Sequence, residues 1–325
     1  MSKPHVLVTR AVFPETIEKL KAHFDVEANL DDADWSSEEL IRRLQGKQGA
    51  FTTGSVKIDE PLLAACPDLK ICANMAVGYN NFDVDAMTRH GVMATNAPDV
   101  LTETTADFGF ALLMATARRI TESEHFLRRG EWKKWSYDMF AGSDVHGSTL
   151  GILGMGRIGQ GIARRGALGF GMKVIYHNRS RLDAAIESEL NARYVSKEEL
   201  LKSADHLVLV LPYSPAAHHA IGAAELQQMK PTATLVNLAR GGIVDDAALA
   251  QALRDKTISA AGLDVFEGEP TVNPALLTVP NVVLTPHIAS ATIPTRRAMA
   301  DLAADNLISF LNGKGPLTPI ATAKK

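Results

Sequence analysis

Between Leu150 and Gly159 the chain reads Leu-Gly-Ile-Leu-Gly-Met-Gly-Arg-Ile-Gly, and no other stretch limits the fold as much. A short apolar run ends in Gly154-Met155-Gly156-Arg157-Ile158-Gly159, and helix-like spacing follows over 160–168. Strand, glycine turn and helix come in the order that a bound dinucleotide requires. Gly154 permits the tight turn, Gly156 lets the backbone approach a pyrophosphate, and Gly159 lets the helix pack near the strand. N–H groups at the helix start, with the helix dipole, favour phosphate charge. A purely structural glycine turn is the rival reading, and the flanking strand and helix weigh against it.

The pattern around this turn predicts two α/β units. From residue 4 to about 120, strands are expected over His5–Thr9, Val26–Ala28, Ala50–Thr53, Leu69–Met75 and Val92–Thr95. Helices are expected over Glu15–Phe24, from Ser36 onward with a capping pattern, over Glu60–Ala65 and over Val84–His90. Short loops between such elements imply a parallel sheet covered on both faces. Asn96-Ala97-Pro98 breaks the alternation, and the next helix, 103–120, is apolar nearly all round, which predicts burial between layers or domains. Segment 128–147 carries Trp132, Trp135, Tyr137 and Phe140. An interface or lid loop and a packed surface loop are equally open readings of it.

After Leu150 the second alternation predicts strands over 173–176, 206–211, 234–238, 260–265 and 282–285. Its helices fall over 181–190, 197–204, 225–229 and 246–254, the last capped by Asp245, before a final helix over 294–311 that Gly313 ends. If that final helix packs back on the first unit, the fold is two doubly wound parallel-sheet domains, one inserted in the other. The boundaries are then 1–99 with 290–325, and 100–289, with a hinge near residues 98 and 289. The tail Ala321–Lys325 reads as a frayed end.

A formal net charge of -3 gives no electrostatic case for nucleic acid or an anionic membrane. No apolar run reaches the length of a membrane span, and the chain enters a strand pattern at Pro4 with no leader pattern before it. Cys66 and Cys72 are too few and too poorly spaced for a zinc site, and they read as reduced thiols in or near the core. A cytoplasmic protein acting on a small molecule is the expectation.

The end of the second strand of the nucleotide unit discriminates between cofactors. An acidic residue about 20 positions after the first glycine would hold the ribose 2′-OH of NAD. Here the sequence is Tyr176-His177-Asn178-Arg179-Ser180-Arg181, with no carboxylate. Arginines and a serine suit a 2′-phosphate, so NADP (NADPH) is preferred and NAD is possible.

Three further strand ends place polar residues at the carboxyl edge, where open α/β sheets bind ligands: Arg240, Asp264 with Glu269, and His287. Reducing a ketone needs a hydride source, a cation for the substrate carboxylate and a proton donor. His287 suits proton donation, Glu269 would bond its other ring nitrogen and raise its pKa, and Arg240 supplies a permanent forked charge. A turn arginine, a loop acid and a satisfied buried histidine are the alternative readings, and spacing alone does not bring the three together. His218-His219 is the only adjacent histidine pair, with no carboxylate at ligand spacing. It reads as a polar loop or a contact at the cofactor edge, and no metal is expected.

These residues together resemble the D-2-hydroxyacid dehydrogenases, in the glyoxylate/hydroxypyruvate reductase (2-ketogluconate reductase-like) branch. The likeness runs from Met75-Ala-Val-Gly-Tyr-Asn-Asn-Phe-Asp-Val-Asp85 through Asp99–Asp107 and Asp144–Gly159. It continues in Asn237-Leu-Ala-Arg-Gly-Gly-Ile-Val-Asp245 and Gly262-Leu-Asp-Val-Phe-Glu-Gly-Glu-Pro270, and closes on Pro286-His-Ile-Ala-Ser-Ala-Thr292. It implies a Rossmann dinucleotide-binding domain inserted in a flavodoxin-like substrate domain. It implies reduction of a 2-oxo acid (glyoxylate, hydroxypyruvate or 2-ketogluconate) with Arg240, Glu269 and His287 as the catalytic set. The N–H groups of Val77 and Gly78 would hold the substrate carboxylate, with Arg240, Ser290 and Trp135 also at the substrate. Arg157 and Ile158 would meet the pyrophosphate. Asn178, Arg179 and Ser180 would take the 2′ end. Thr105, Leu211, Pro212, Ala239, Asp264, His287 and Ala289 would line the rest of the cofactor. A homodimer is implied, with Trp135 reaching the substrate of the partner subunit.

Two positions depart from the pattern: Asp107 replaces the common Glu, and Ala289 stands where Gly is usual, which puts relative rates in question. Rival readings are a D-lactate or phosphoglycerate type dehydrogenase, or a non-catalytic NAD(P)-sensing regulator.

Overall fold

In the computed structural model, which describes residues 3–321, the strand and helix alternation folds into two sheets, each with every pairing parallel. Residues 322–325 of the expected frayed tail lie outside the described residues. The chain divides into two units. One comprises the residues through Leu101 and those from Ala291 onward, and the other is Thr102–Ser290.

The first unit holds β1 (His5–Val8), β2 (Asp25–Ala28), β3 (Gly49–Thr52), β4 (Ile71–Asn74) and β5 (Met93–Thr95), in the order β2-β1-β3-β4-β5. This is the flavodoxin-like order. Its helices are α1 (Pro14–His23), α2 (Ser37–Leu44), α3 (Glu60–Ala65) and α4 (Val84–Arg89), joined by the last helix of the chain, α12 (Ile293–Leu311). Alternate strand residues face opposite layers. Val6, Val8, Phe51 and Ile71 pack with Leu20, Phe24 and Leu307, whereas Leu7, Ala50 and Cys72 pack with Leu44, Leu63 and Met87. Ser36, Asp59 and Asp83 cap α2, α3 and α4 by accepting from Glu39, Leu62 and Ala86 N–H. Both cysteines are buried and free.

The second unit holds β6 (Thr149–Leu153), β7 (Lys173–His177), β8 (Ala192–Tyr194), β9 (His206–Leu209), β10 (Thr234–Asn237), β11 (Ala260–Leu263) and β12 (Val282–Leu284). Its helices are α5 (Thr102–Ala117), α6 (Ile120–Arg128), α7 (Arg157–Arg164), α8 (Ala184–Glu189), α9 (Lys197–Ser203), α10 (Ala223–Leu226) and α11 (Asp246–Arg254). Strand order is β12-β11-β10-β9-β6-β7-β8. The chain runs from β6 outward to β8 and then returns to β9 on the other side of β6. The β6/β9 seam is therefore the switch point, where doubly wound sheets open a crevice at their carboxyl ends.

One expectation needs correction, and one strand was missed. The helix expected over 103–120 ends at Ala117, because Ser143 N–H takes the Ala117 carbonyl (2.8 Å) and Arg119 turns left-handed (φ 54°) before α6 begins. The expected burial of this helix between layers holds: α5 lies between α7 and the β10–β11 face of its own unit, with Glu103, Asp107 and Ala111 exposed. The edge strand β8 went unread, since Ala-Arg-Tyr carries no alternating apolar signal. Among the described residues no helix is long and apolar enough to cross a membrane.

Candidate active site

The turn between β6 and α7 has two separate needs for glycine. Gly154 has φ 101°, and a Cβ there would stand 2.6 Å from Leu211 N and 2.8 Å from the Val210 carbonyl carbon. The backbone leaving β9 thus runs directly against the turn. Gly159 faces the Gly154 carbonyl in the same way, at 2.6 Å from an added Cβ. Gly156 differs from both: it is the N-cap of α7, has no side-chain cap, and nothing lies within 4 Å of where its side chain would project. Arg157 is exposed and Ile158 partly buried on the first turn of α7. Backbone donors at a helix start, left uncovered by any side chain, form an anion site. Thr105, also expected at the cofactor, has a buried hydroxyl without a partner in the described structure. An uncovered helix start and an orphaned hydroxyl are the features a dinucleotide would satisfy.

At the end of β7, Asn178 is partly buried, and its Oδ1 accepts from Met155 N–H (2.6 Å), which braces the glycine turn. Arg181 is committed elsewhere: its Nε and Nη2 donate to both oxygens of Glu187 (2.9 and 2.6 Å), and Tyr176 Oη donates to the same carboxylate (2.6 Å). Those two partners hold the Glu187 carboxyl down at about 2. Arg179 and Ser180 are exposed and have no hydrogen-bond or ion-pair partner among the described residues. Of the two arginines in the sequence motif, Arg179 is therefore the one left to meet a ligand. Pro212 is exposed and Leu211 partly buried beside Gly154.

Arg240, Glu269 and His287 sit on the turns after β10, β11 and β12. Asn237 shapes the first turn, its Oδ1 accepting from Ala239 N–H (3.1 Å) and its Nδ2 donating to the Arg240 carbonyl (3.2 Å). A Cβ on Gly241 would fall 1.7 Å from the Phe266 carbonyl oxygen, so only glycine lets this turn lie against the loop that carries Glu269. Burial lowers the Arg240 pKa and the Glu269 charge opposes that shift; an arginine so placed stays a cation near neutrality. His287 Nδ1 lies 2.7 Å from Glu269 Oε1. Burial pushes the Glu269 carboxyl up, but the His287 hydrogen bond and charge outweigh it, with help from Phe266 N–H and Arg240, and leave it below the usual range. An ionised carboxylate only accepts, so Nδ1 carries the hydrogen and Nε2 is the outward position.

His287 is held in the left-handed region (φ 54°), a strained conformation for a non-glycine residue. The fully buried Asp264 keeps it there. Its Oδ1 accepts from Ile288 N–H (2.8 Å) and Thr285 Oγ1 (2.7 Å), and its Oδ2 from Ala289 N–H (2.8 Å). These three bonds show Asp264 bracing the His287 turn, a role that strand-end position alone did not reveal. Ala239 and Ala289 are buried next to these turns, and Ser290 is partly buried.

The remaining expected residues stand apart from this cluster in the chain. In the first unit, Asn96 Nδ2 donates to the Val77 carbonyl (2.7 Å) and Asn74 Nδ2 to the Gly78 carbonyl (3.0 Å), so the loop after β4 is fixed by side-chain amides. Trp135 is 74% exposed beyond α6, with Trp132 and Tyr137 exposed nearby, whereas Phe140 packs on Phe126 and Val145 is buried, so the packed-loop reading holds for the second half of this segment and not for the tryptophans. The sequence reading also missed a carboxylate at the histidine pair, since Glu267 comes within 2.9 Å of His219 Nε2.

Residues 110–289 match the family described as D-isomer specific 2-hydroxyacid dehydrogenase, NAD binding domain. The chain is 48% identical over 320 residues to a glyoxylate reductase of Thermococcus gammatolerans, covering 97% of this chain and 95% of that one. It is similar to a solved D-isomer specific 2-hydroxyacid dehydrogenase from a Polaromonas species, with TM-score 0.90 and 33% identity over 98% of this chain and all of that one. It is also similar to an NADPH-dependent glyoxylate/hydroxypyruvate reductase of Sinorhizobium meliloti solved with NADP and malonate. There the TM-score is 0.86 and the identity 37%, over 98% of this chain and 97% of the other. Likeness along almost the whole chain, added to a glycine turn open to a dinucleotide and a histidine paired with a carboxylate, places this protein in the D-isomer specific 2-hydroxyacid dehydrogenase family, as an NAD(P)-dependent oxidoreductase.

Proposed function

We propose that the chain reduces a small 2-oxo acid to the D-2-hydroxy acid, using NADPH in preference to NADH. Glyoxylate is the leading substrate because the relatives are named for it; hydroxypyruvate and 2-ketogluconate follow. The observation that carries this reading is the 2.7 Å pairing of His287 with Glu269. Glu269, ionised, accepts at Nδ1, so the proton delivered to the substrate carbonyl oxygen leaves from His287 Nε2. Asp264 positions the imidazole by fixing its backbone turn. Arg240 holds the substrate carboxylate through its fork, and the N–H groups of Val77 and Gly78 are assigned to the same carboxylate. The dinucleotide, when bound in its reduced form, supplies the hydride. Arg157 and Ile158 N–H take the pyrophosphate. Arg179 and Ser180 take the 2′-phosphate, while Asn178, an amide already bonded to Met155 N–H, offers no carboxylate to a ribose 2′-OH. The reading includes a homodimer, with Trp135 presented to the partner's substrate; the exposure of Trp135, Trp132 and Tyr137 supports it.

Initial rates with the three acids, each with NADPH and NADH, test the proposal. Fast NADPH turnover on any of the three fits it, and a clear NADH preference overturns the roles of Arg179 and Ser180. His287→Ala is expected to lower kcat by about 10²–10⁴-fold, the usual worth of a positioned proton donor, with NADPH affinity unchanged. Wild-type kcat in that variant would remove His287 from the mechanism. Tight NADPH binding without turnover on any acid would favour a cofactor sensor.

A further inference from the structure

His218, His219 and Glu267 lie outside the catalytic cluster just described, and their ligating atoms all fall within 4.8 Å of one another. Adjacent side chains in an extended segment point to opposite sides. Here His219 adopts φ 49°, in the left-handed region, and the two imidazoles stack with centroids 3.9 Å apart and planes 21° apart. Both Nε2 atoms then face one carboxylate: His219 Nε2 is 2.9 Å from Glu267 Oε2 and His218 Nε2 is 3.8 Å from Glu267 Oε1. The second distance is too long for a hydrogen bond.

One outer ring nitrogen is met by oxygen, and the other has a carboxylate nearby. Tyr213 Oη lies 3.3 Å from His218 Nδ1, and Asp245 Oδ2 lies 3.9 Å from His219 Nδ1. Asp245 is itself fixed, because its Oδ1 caps α11 by accepting from Ala247 and Ala248 N–H. Inner nitrogens facing one carboxylate, with the outer nitrogen of His218 hydrogen-bonded to a hydroxyl, is an arrangement that orients histidine ligands in metal sites; His219 Nδ1 has the Asp245 carboxylate near it but beyond hydrogen-bond reach.

From this geometry we propose that His218, His219 and Glu267 bind a divalent transition metal of the Zn²⁺ type, with water completing the coordination. Bonds of about 2.0–2.2 Å place tetrahedral ligand atoms roughly 3.3–3.6 Å apart, so side-chain movements of about 1 Å and a turn of the stacked rings toward a common point complete the site. Such an ion ties the loop after β9 to the loop after β11, two residues before Glu269. It takes no part in hydride or proton transfer.

The test is calorimetric titration of metal-free protein with ZnCl₂, without substrate or dinucleotide, so the result is independent of the proposed reaction. Thermal melts with and without ZnCl₂ run in parallel, and Co²⁺ serves as a visible-absorbance probe. One saturable Zn²⁺ per chain is expected, with a rise in Tm and a tetrahedral Co²⁺ band. His218→Ala and Glu267→Gln, both at exposed positions, should each weaken binding by about tenfold or more, and Tyr213→Phe by up to about tenfold. Melts without metal establish that each variant is folded. No saturable binding to the wild type, or an affinity in both His218→Ala and Glu267→Gln within about twofold of wild type, would overturn the site. A loss of equal size in a distant control, His90→Ala, would do the same.

Discussion

The first strand-to-helix turn of each unit starts from the same topology and ends in opposite states. In the first unit, the turn from β1 to α1 is closed by a carboxylate from the loop after β2. Arg10 Nε and Nη2 donate to Asp32 (2.8 and 3.0 Å), Ala11 N–H donates to Asp32 Oδ1 (3.0 Å), and Pro14 removes an N–H at the helix start. In the second unit, the turn from β6 to α7 has glycine at the N-cap and open space beside it. One sheet has an internal carboxylate where the other leaves room for an external anion. A parallel α/β sheet therefore supplies the crevice, and the groups that reach the turn above it decide whether a ligand can use it.

The contrast can be broken most severely at Gly154. Gly154→Val forces a β-branched residue into φ 101° and against the Leu211 backbone. It is expected to cost about 2–5 kcal/mol of stability together with dinucleotide binding, read by thermal melts and NADPH fluorescence titration. Retained binding would mean that the β9 backbone gives way easily.

Gly156→Asp converts the open turn into a closed one. The carboxylate caps α7, worth a few tenths to about 1 kcal/mol, and stands where the pyrophosphate charge is expected. Like charges about 4 Å apart near a protein surface repel by about 4 kcal/mol, so NADPH affinity should fall by roughly a hundredfold or more while Tm holds or rises. Unchanged affinity would show that the phosphates lie elsewhere.

Arg10→Ala is the mirror experiment in the first unit. Loss of partly exposed ion pairs should lower stability by about 1 kcal/mol and leave NADPH affinity untouched. A change in affinity would connect that turn to the cofactor.

The smallest effect sharpens the contrast between Arg181, closed by Glu187, and Arg179, left exposed. The Glu187 carboxyl is held at about 2, below the unfolded value of about 4.3. Its contribution to stability is therefore complete above about pH 4.3 and is lost as the pH falls toward 2. The Tm difference between wild type and Glu187→Gln should be constant near neutrality and shrink through that window. A difference that persists undiminished at pH 2 would refute the ion pair as its source.

Much of this was legible in the sequence because it depends on local chemistry. All strands but β8 announce themselves by β-rich apolar runs, and Ser36 and Asp245 act as the caps their sequence contexts promise. What the sequence left unread depends on neighbours remote in the chain. The helix break after Ala117 follows from Gly142 and Ser143 packing on its carbonyl, some 25 residues later. The second constraint on Gly154 comes from Leu211. Asp264 looked like a ligand-edge acid, and its three hydrogen bonds make it the brace of the His287 turn.

The sequence by itself determined the two strand–helix alternations apart from α6 and β8, the glycine turn and the absence of a carboxylate at the end of β7, because propensity, backbone freedom and side-chain chemistry are carried by each residue and its near neighbours. Only the tertiary structure decided which charges are already paired and which remain open. Arg181 is claimed by Glu187 and Arg179 is not, His287 is strained against Asp264 and bonded to Glu269, and Glu267 reaches a histidine pair that lies 48 residues before it. Pairing is a matter of a few ångströms between segments whose separation along the chain carries no such distance.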